Sequence, residues 1–217
     1  MKKGELKERM SRVISVTAEG EASVAPDMAI VSLAVTGQGK ELAPTRDDVV
    51  VRSSAVLATL RELGVPEADL QAPDVAIHPE YDYRRGQKLI GYRVTRQIGA
   101  KVRDLTRLGE VLDGIVGAGA NEVHGAQMTA SDPSAAEHQA LEKAVTAARA
   151  KAEAVAAAAG VTLGTVIRIE EEPGTGVGPM PRGLAMAAMS ESADASTEVA
   201  AGDLTVTRRI RAWFAIE

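Results

Sequence analysis

The stretch from Asp132-Pro133 to Ala159-Gly160 is dominated by alanine, and no other segment constrains the fold as strongly. Asp132 reads as a helix cap followed by a proline at the first helical position, and Gly160 as the stop. At 1.5 Å per residue such a helix is about 40 Å long. Its small side chains let a sheet or a second helix come close, so its packing partner must be built for short range. Five of the 217 residues are aromatic, and alanine and valine supply most of the apolar mass, which implies a thin, close-packed core. With 45% apolar and 25% charged residues, the chain has the composition of a soluble globular protein of one large domain or two small ones.

The remaining elements follow from periodicity. Ile14, Val16 and Ala18 alternate with polar neighbours, as do Val31, Leu33 and Val35 after the Glu19-Gly20-Glu21 break, giving two opening strands. From Pro44, the positions Val49, Val56, Leu57, Leu60 and Leu63 recur at helical spacing until Gly64 and Pro66. A short strand from Leu70 to His78 is interrupted by Pro73, and a turn-rich stretch from Pro79 to Gly86 follows. The clearest strand runs from Leu89 to Val102, with Arg96 breaking its apolar row. Asp104 caps a helix ending in the Gly117 to Asn121 turn, and strands are expected at Val123 to Thr129, Val161 to Ile169 and Leu204 to Ile216. The segment 172–202, rich in Gly, Pro, Ala, Met and Ser, reads as a mobile loop. The order of elements predicts an α+β fold in which helices pack on antiparallel or mixed sheets.

The formal charge is −5, which argues against binding to a phosphate backbone, so nucleic acid is not an expected partner. There is no cysteine, which excludes disulfides, thiolate metal sites and cysteine nucleophiles. No apolar run is long enough to cross a bilayer as a helix. The charged opening, residues 1–12, reads as a tail without the apolar core of an export signal, and a cytoplasmic location is the expectation for the sequence as written.

Several local motifs occur in a characteristic order: Ala25-Pro26-Asp27, Gly64-Val65-Pro66, Pro79-Glu80-Tyr81-Asp82-Tyr83, Gly91-Tyr92, Arg103-Asp104-Leu105 with Leu108-Gly109, Gly119-Ala120-Asn121, Ala159-Gly160-Val161 and Gly202-Asp203-Leu204. In this order and spacing the chain resembles the SIMPL-domain family over residues 13–217. Bacterial members of that family often carry the label of oxidative-stress defence proteins. The resemblance implies two intertwined α+β subdomains, ring-like homo-oligomers in some relatives, export to the cell envelope in many, and no established enzymatic activity. The family has no agreed catalytic residues, so none is carried over. The chain departs from the pattern at Ala72-Pro73 and in an especially basic final strand.

The residues themselves offer little reactive chemistry. His78, His124 and His138 fall on separate elements, and only His138 has a carboxylate at helical spacing, Glu142; a solvated pair explains it better than a metal site. Ser131-Asp132 near His138 has the residue types of a hydrolase, but Asp132 serves better as a cap. Glu170-Glu171-Glu172 reads as a solvated acidic edge. Gly174, Gly176 and Gly178 lack a following helix and a Walker lysine. No cofactor or metal is expected.

Surfaces are more informative. Leu204, Val206, Ile210, Phe214 and Ile216 define the apolar face of the last strand, which places Trp213 on the opposite face with Thr205, Thr207, Arg209 and Arg211. An indole among arginines on a nominally wet face has the composition of an interface hot spot, and Trp213, Arg209 and Arg211 are candidate interface residues; coverage by the same chain is the alternative. Tyr81, Tyr83 and Tyr92, near Arg84, Arg85 and Arg93, form either an anchored turn or a contact surface. Met180, Met186 and Met189 are thioethers that can line an adaptable surface, bind copper(I) or scavenge oxidants. Arg96 and Arg208 intrude on apolar rows and need acidic partners if buried. The reading is a non-enzymatic protein that self-associates through sheet edges and the Trp213 face, as a scaffold or binding assembly connected with stress protection. A ligand-binding module with its pocket beside the tyrosine turn or the methionines is the alternative, and a hydrolase ranks below both.

Overall fold

A computed structural model describes residues 12–84, 86–172 and 202–217. In chain order the elements are β1 (Val13–Val24), β2 (Met28–Gly39), α1 (Leu42–Glu62), β3 (Leu70–Gln71), β4 (Ala76–Asp82), β5 (Lys88–Val102), α2 (Leu108–Gly117), β6 (Glu122–Thr129), α3 (Ser134–Ala159), β7 (Leu163–Glu171) and β8 (Leu204–Ile216). Single 3-10 turns occupy Glu67–Asp69 and Leu105–Arg107. The architecture is α+β with antiparallel sheets, and the chain divides into two compact units.

One unit comprises the described residues 12–25, 130–172 and 202–217. Its sheet has the order β1-β8-β7, antiparallel throughout. The alanines of α3 are not scattered: Ala136, Ala140, Ala144, Ala148, Ala152 and Ala156 recur every fourth residue and are all buried. This narrow stripe lies on Ile14, Val16, Ala18 and Ala22 of β1 and Val206, Ile210, Ala212 and Phe214 of β8. Gly20 completes the row on β1. A Cβ there would overlap the carbonyl oxygen of Ala140 and the amide of Ala144, so the missing side chain is what lets the helix backbone rest on the strand. On the flank of the stripe, the Lys143 ammonium donates to the Glu21 carbonyl at 2.7 Å and that of Lys151 to the Thr17 carbonyl at 2.9 Å. These lysines occupy carbonyls of β1 that no strand among the described residues takes, which blunts that sheet edge.

The other unit contains Pro26–Thr129. Its sheet runs β3-β5-β2-β6, with β4 also paired to β5, and α1 and α2 cover one face. The core joins Val31, Leu33 and Val35 of β2 and Val94, Ile98 and Ala100 of β5 to Val49, Val56 and Leu60 of α1 and Leu108, Val111 and Ile115 of α2. Where β6 stops, a side chain continues the ladder: the Thr36 amide donates to Asn121 Oδ1 at 2.8 Å and Asn121 Nδ2 donates to the Thr36 carbonyl at 2.8 Å.

Three sequence expectations need correction. Glu19-Gly20-Glu21 is no break, since β1 runs through it; the glycine serves helix approach rather than a turn. The expected strand from Leu70 to His78 is two, because 72–75 interrupts it, and the second continues through Pro79 to Asp82 in what reads as a turn. The helix after Asp104 begins with a 3-10 turn, whose Thr106 amide the Asp104 carboxylate accepts at 3.0 Å, before α2 starts at Leu108. The charged segment 1–11 and most of the expected mobile loop lie outside the described residues.

Candidate functional site

The strongest candidate surface is the face of the three-stranded sheet opposite α3. Alternation along β8 turns Val206, Ile210, Ala212 and Phe214 towards the alanine stripe, which leaves Arg209, Arg211 and Trp213 on the other side. The strand register sets their neighbours: Trp213 lies opposite Ser15, Arg211 opposite Thr17 and Arg209 opposite Glu19 on β1, and Arg168 of β7 lies beside Trp213. The Arg168 guanidinium stands 5.3 Å from the centre of the indole. A cation over an aromatic face is attracted by the ring quadrupole, and this one leaves Trp213 half-buried.

Every arginine of this face has a carboxylate. Arg209 pairs with Glu19, Arg211 with Glu172 at 2.8 Å and Arg168 with Glu170. The surface is therefore a neutral lattice of paired charges around one indole, not the basic patch that the composition of β8 suggests. Arg208, which turns towards the helix side, finds the acidic partners expected of it in Glu137 of α3 and Glu171 of β7, the latter at 3.6 Å. Among the described residues Arg96 finds only a hydroxyl, donating from Nη1 to Ser53 Oγ at 3.2 Å, and its Nε has no partner there.

The other sequence candidates separate. Tyr81 and Tyr83 come together at the end of the β4–β5 hairpin, ring centres 6.3 Å apart at 50°. Tyr83 is 71% exposed. Tyr92 sits on β5 opposite Pro79. Arg93 is held by Glu80 at 2.9 Å. Met180, Met186 and Met189 lie outside the described residues.

His78, His124 and His138 are exposed on β4, β6 and α3. Among the described residues no three side chains of metal-binding type gather. Asp132 accepts from the Ser134 amide at 3.0 Å and from its hydroxyl, and these bonds hold its carboxyl below the usual carboxylate range. It holds the turn that leads into α3, whose N-cap position falls on Pro133 rather than on Asp132 as the sequence suggests.

Sequence reasoning missed two features. Arg168 follows from alternation only once the bulges that shift β7 against β8 are known. The second is a pocket of about 150 Å³ among Leu63, Gly64, Val65, Pro66, Lys101, Val102, Arg103, Asp104, Arg107 and Val111. Its signal was present in Gly64-Val65-Pro66 and Arg103-Asp104-Leu105, which contribute to a resemblance but carry no chemistry as isolated strings.

The model of the family described as "SIMPL: Protein of unknown function (DUF541)" matches residues 14–214. The chain belongs to the SIMPL family. Among its relatives is the 26 kDa periplasmic immunogenic protein of Brucella melitensis biotype 1, 33% identical over 215 residues, which cover 94% of this chain and 84% of that protein. The uncharacterized protein YggE of Edwardsiella ictaluri is 32% identical over 71% of this chain and 66% of its own length, and YggE of Escherichia coli K12 is 27% identical over 60% and 54%. The SIMPL family carries no assigned activity, so its members' names bring no reaction to this site. No helix among the described residues is long and apolar enough to cross a membrane.

Proposed function

We propose that this SIMPL protein works without catalysis, as a self-associating scaffold or binding assembly linked to stress protection, and that the Trp213 face is its contact surface. The observation that carries this reading is the arrangement of Arg168 over Trp213 within a lattice of paired charges on a sheet face that no helix among the described residues of its unit covers. Aromatic and arginine side chains are enriched at protein contacts, and paired charges can be buried there without leaving an uncompensated ion. The sheet edges support assembly less well. Lys143 and Lys151 occupy β1, bulges disturb β7, and Pro79 lies in β4. Association through the face rather than by strand addition is the version of the proposal that these features favour.

The periplasmic relatives favour export over the cytoplasmic expectation drawn from the opening residues. The full chain at micromolar concentration should sediment as an oligomer, and Trp213→Ala should shift it towards monomer with the fold retained by circular dichroism. A monomeric wild-type protein, or an assembly indifferent to Trp213→Ala, would count against the reading.

A further inference from the structure

Outside the Trp213 face, the Pro26–Thr129 unit holds a pocket at the junction of the α1 C-terminus, the end of β5 and the start of α2. Its volume is about 150 Å³. An apolar cavity of about this size accepts a six-carbon body such as benzene. Buried Val65, Val102 and Val111 supply the apolar lining, with Leu63 and Pro66 beside them. Three cationic residues, Lys101, Arg103 and Arg107, share the wall with a single carboxylate, Asp104. Asp104 is already engaged, accepting from both the amide and the hydroxyl of Thr106.

The two guanidinium groups are each paired with a carboxylate outside the pocket, as those of the Trp213 face are with theirs, which leaves Lys101 as the cation of the wall without an ion pair among the described residues. Arg103 makes a two-point contact with the buried Asp69, Nε to Oδ2 at 2.6 Å and Nη2 to Oδ1 at 2.9 Å. Arg107 donates to the Leu63 carbonyl at 2.8 Å and to both carboxylate oxygens of Glu110, at 2.9 and 3.2 Å. The chain turn at Gly64, with φ of 89°, brings the Leu63 carbonyl to Arg107, and the Gly64 backbone passes close to that guanidinium. Pinning the cations from outside the pocket reduces the ordering cost that a ligand would otherwise meet.

From this combination we infer that the pocket binds a small organic monocarboxylate with an aliphatic tail, about six carbons in all. The tail occupies the space between Val65, Val102 and Val111, and the carboxylate stays at the rim among Lys101 and the arginines. A neutral molecule of the same shape loses the charge-assisted contacts, and a carboxylate without a tail loses the apolar burial.

The test is a titration of the uniformly ¹⁵N-labelled full chain with sodium hexanoate, followed by amide shifts, with hexan-1-ol and sodium acetate run in parallel at matched ionic strength. Saturable shifts are expected at Gly64, Val65, Lys101, Arg103 and Val111, with Kd below about 1 mM and hexanol and acetate each weaker by about tenfold or more. Lys101→Gln, at a half-buried strand position, should weaken hexanoate binding and leave hexanol binding unchanged. Absence of saturable shifts, shifts centred elsewhere, or equal affinity for hexanoate and hexanol would each overturn the inference. The comparison of the three probes is made on the wild-type protein, so the result does not depend on any variant folding.

Discussion

Gly20 of β1 lies directly beneath the backbone of α3 at Ala140, so closely that a Cβ on the glycine would overlap the Ala140 carbonyl oxygen. Short-range packing is thus written twice, once as an alanine every fourth residue on the helix and once as a glycine on the strand. Backbone atoms cannot rotate aside as a long side chain can. Gly20→Ala should therefore lift the helix locally and destabilise the protein by about 1–3 kcal/mol, the usual range for overpacking. Urea unfolding checks this; a loss no larger than that of Ser15→Ala, at an exposed position of the same strand, would mean the contact is relaxed in solution.

Asn121 provides a different kind of closure. Its amide both donates to and accepts from Thr36, replacing the strand partner that β6 no longer supplies there. Asn121→Ala removes both bonds while leaving Thr36 buried, at a cost of about 1–3 kcal/mol. Asn121→Asp keeps the acceptor but loses the donor to the Thr36 carbonyl, and should fall between the two. Chemical denaturation of the three proteins gives the order; equal stability of wild type and Asn121→Ala would show that water substitutes for the amide.

These two cases mark where the sequence is readable. The two faces of β8 follow from its 2-residue alternation, and the helix of α3 from its alanine content and the residues that start and stop it, because these are properties of consecutive residues. Gly20 was misread for a physical reason: a glycine between two glutamates has the look of a turn, and only the helix lying on it reveals a packing role. Trp213 was placed on the correct face, but its cover, Arg168, comes from a strand whose bulges shift the register by amounts no local pattern encodes. Likewise Arg103 and Asp69 stand 34 residues apart in sequence and nothing near either one announces the pair. The charge lattice and the pocket are products of tertiary pairing, and so lay beyond a reading of single segments.

Trp213 is the only tryptophan in the chain, so its fluorescence reports directly on the Arg168 contact. Arg168→Gln removes the cation from above the ring and should cost about 0.5–1 kcal/mol, the range for an exposed cation–π pair. It also uncovers one side of the indole to water, so the emission maximum should move to longer wavelength. An unchanged spectrum would show that the guanidinium does not rest on the ring in solution.

The Asp69 carboxyl sits below the usual carboxylate range because the Arg103 guanidinium donates two hydrogen bonds to it, with the charges of Arg103 and Lys101 acting in the same direction; burial opposes them and is outweighed. A carboxyl with a lower pKa folded than unfolded binds fewer protons in the native state. Its stabilisation is therefore fully present above the unfolded value, about 3.9, and is lost as the pH falls through the folded value. Asp69→Asn removes this titration and leaves the depressed carboxyls of Glu67, Asp104, Glu110 and Asp132 in place. The stability difference between wild type and Asp69→Asn should be flat from neutral pH down to about 5 and should narrow steadily below about 4. Urea titrations across this range measure it. A difference that persists undiminished to the acid end would mean that Asp69 contributes through shape rather than charge, and that Arg103 is held at the pocket rim by something other than this ion pair.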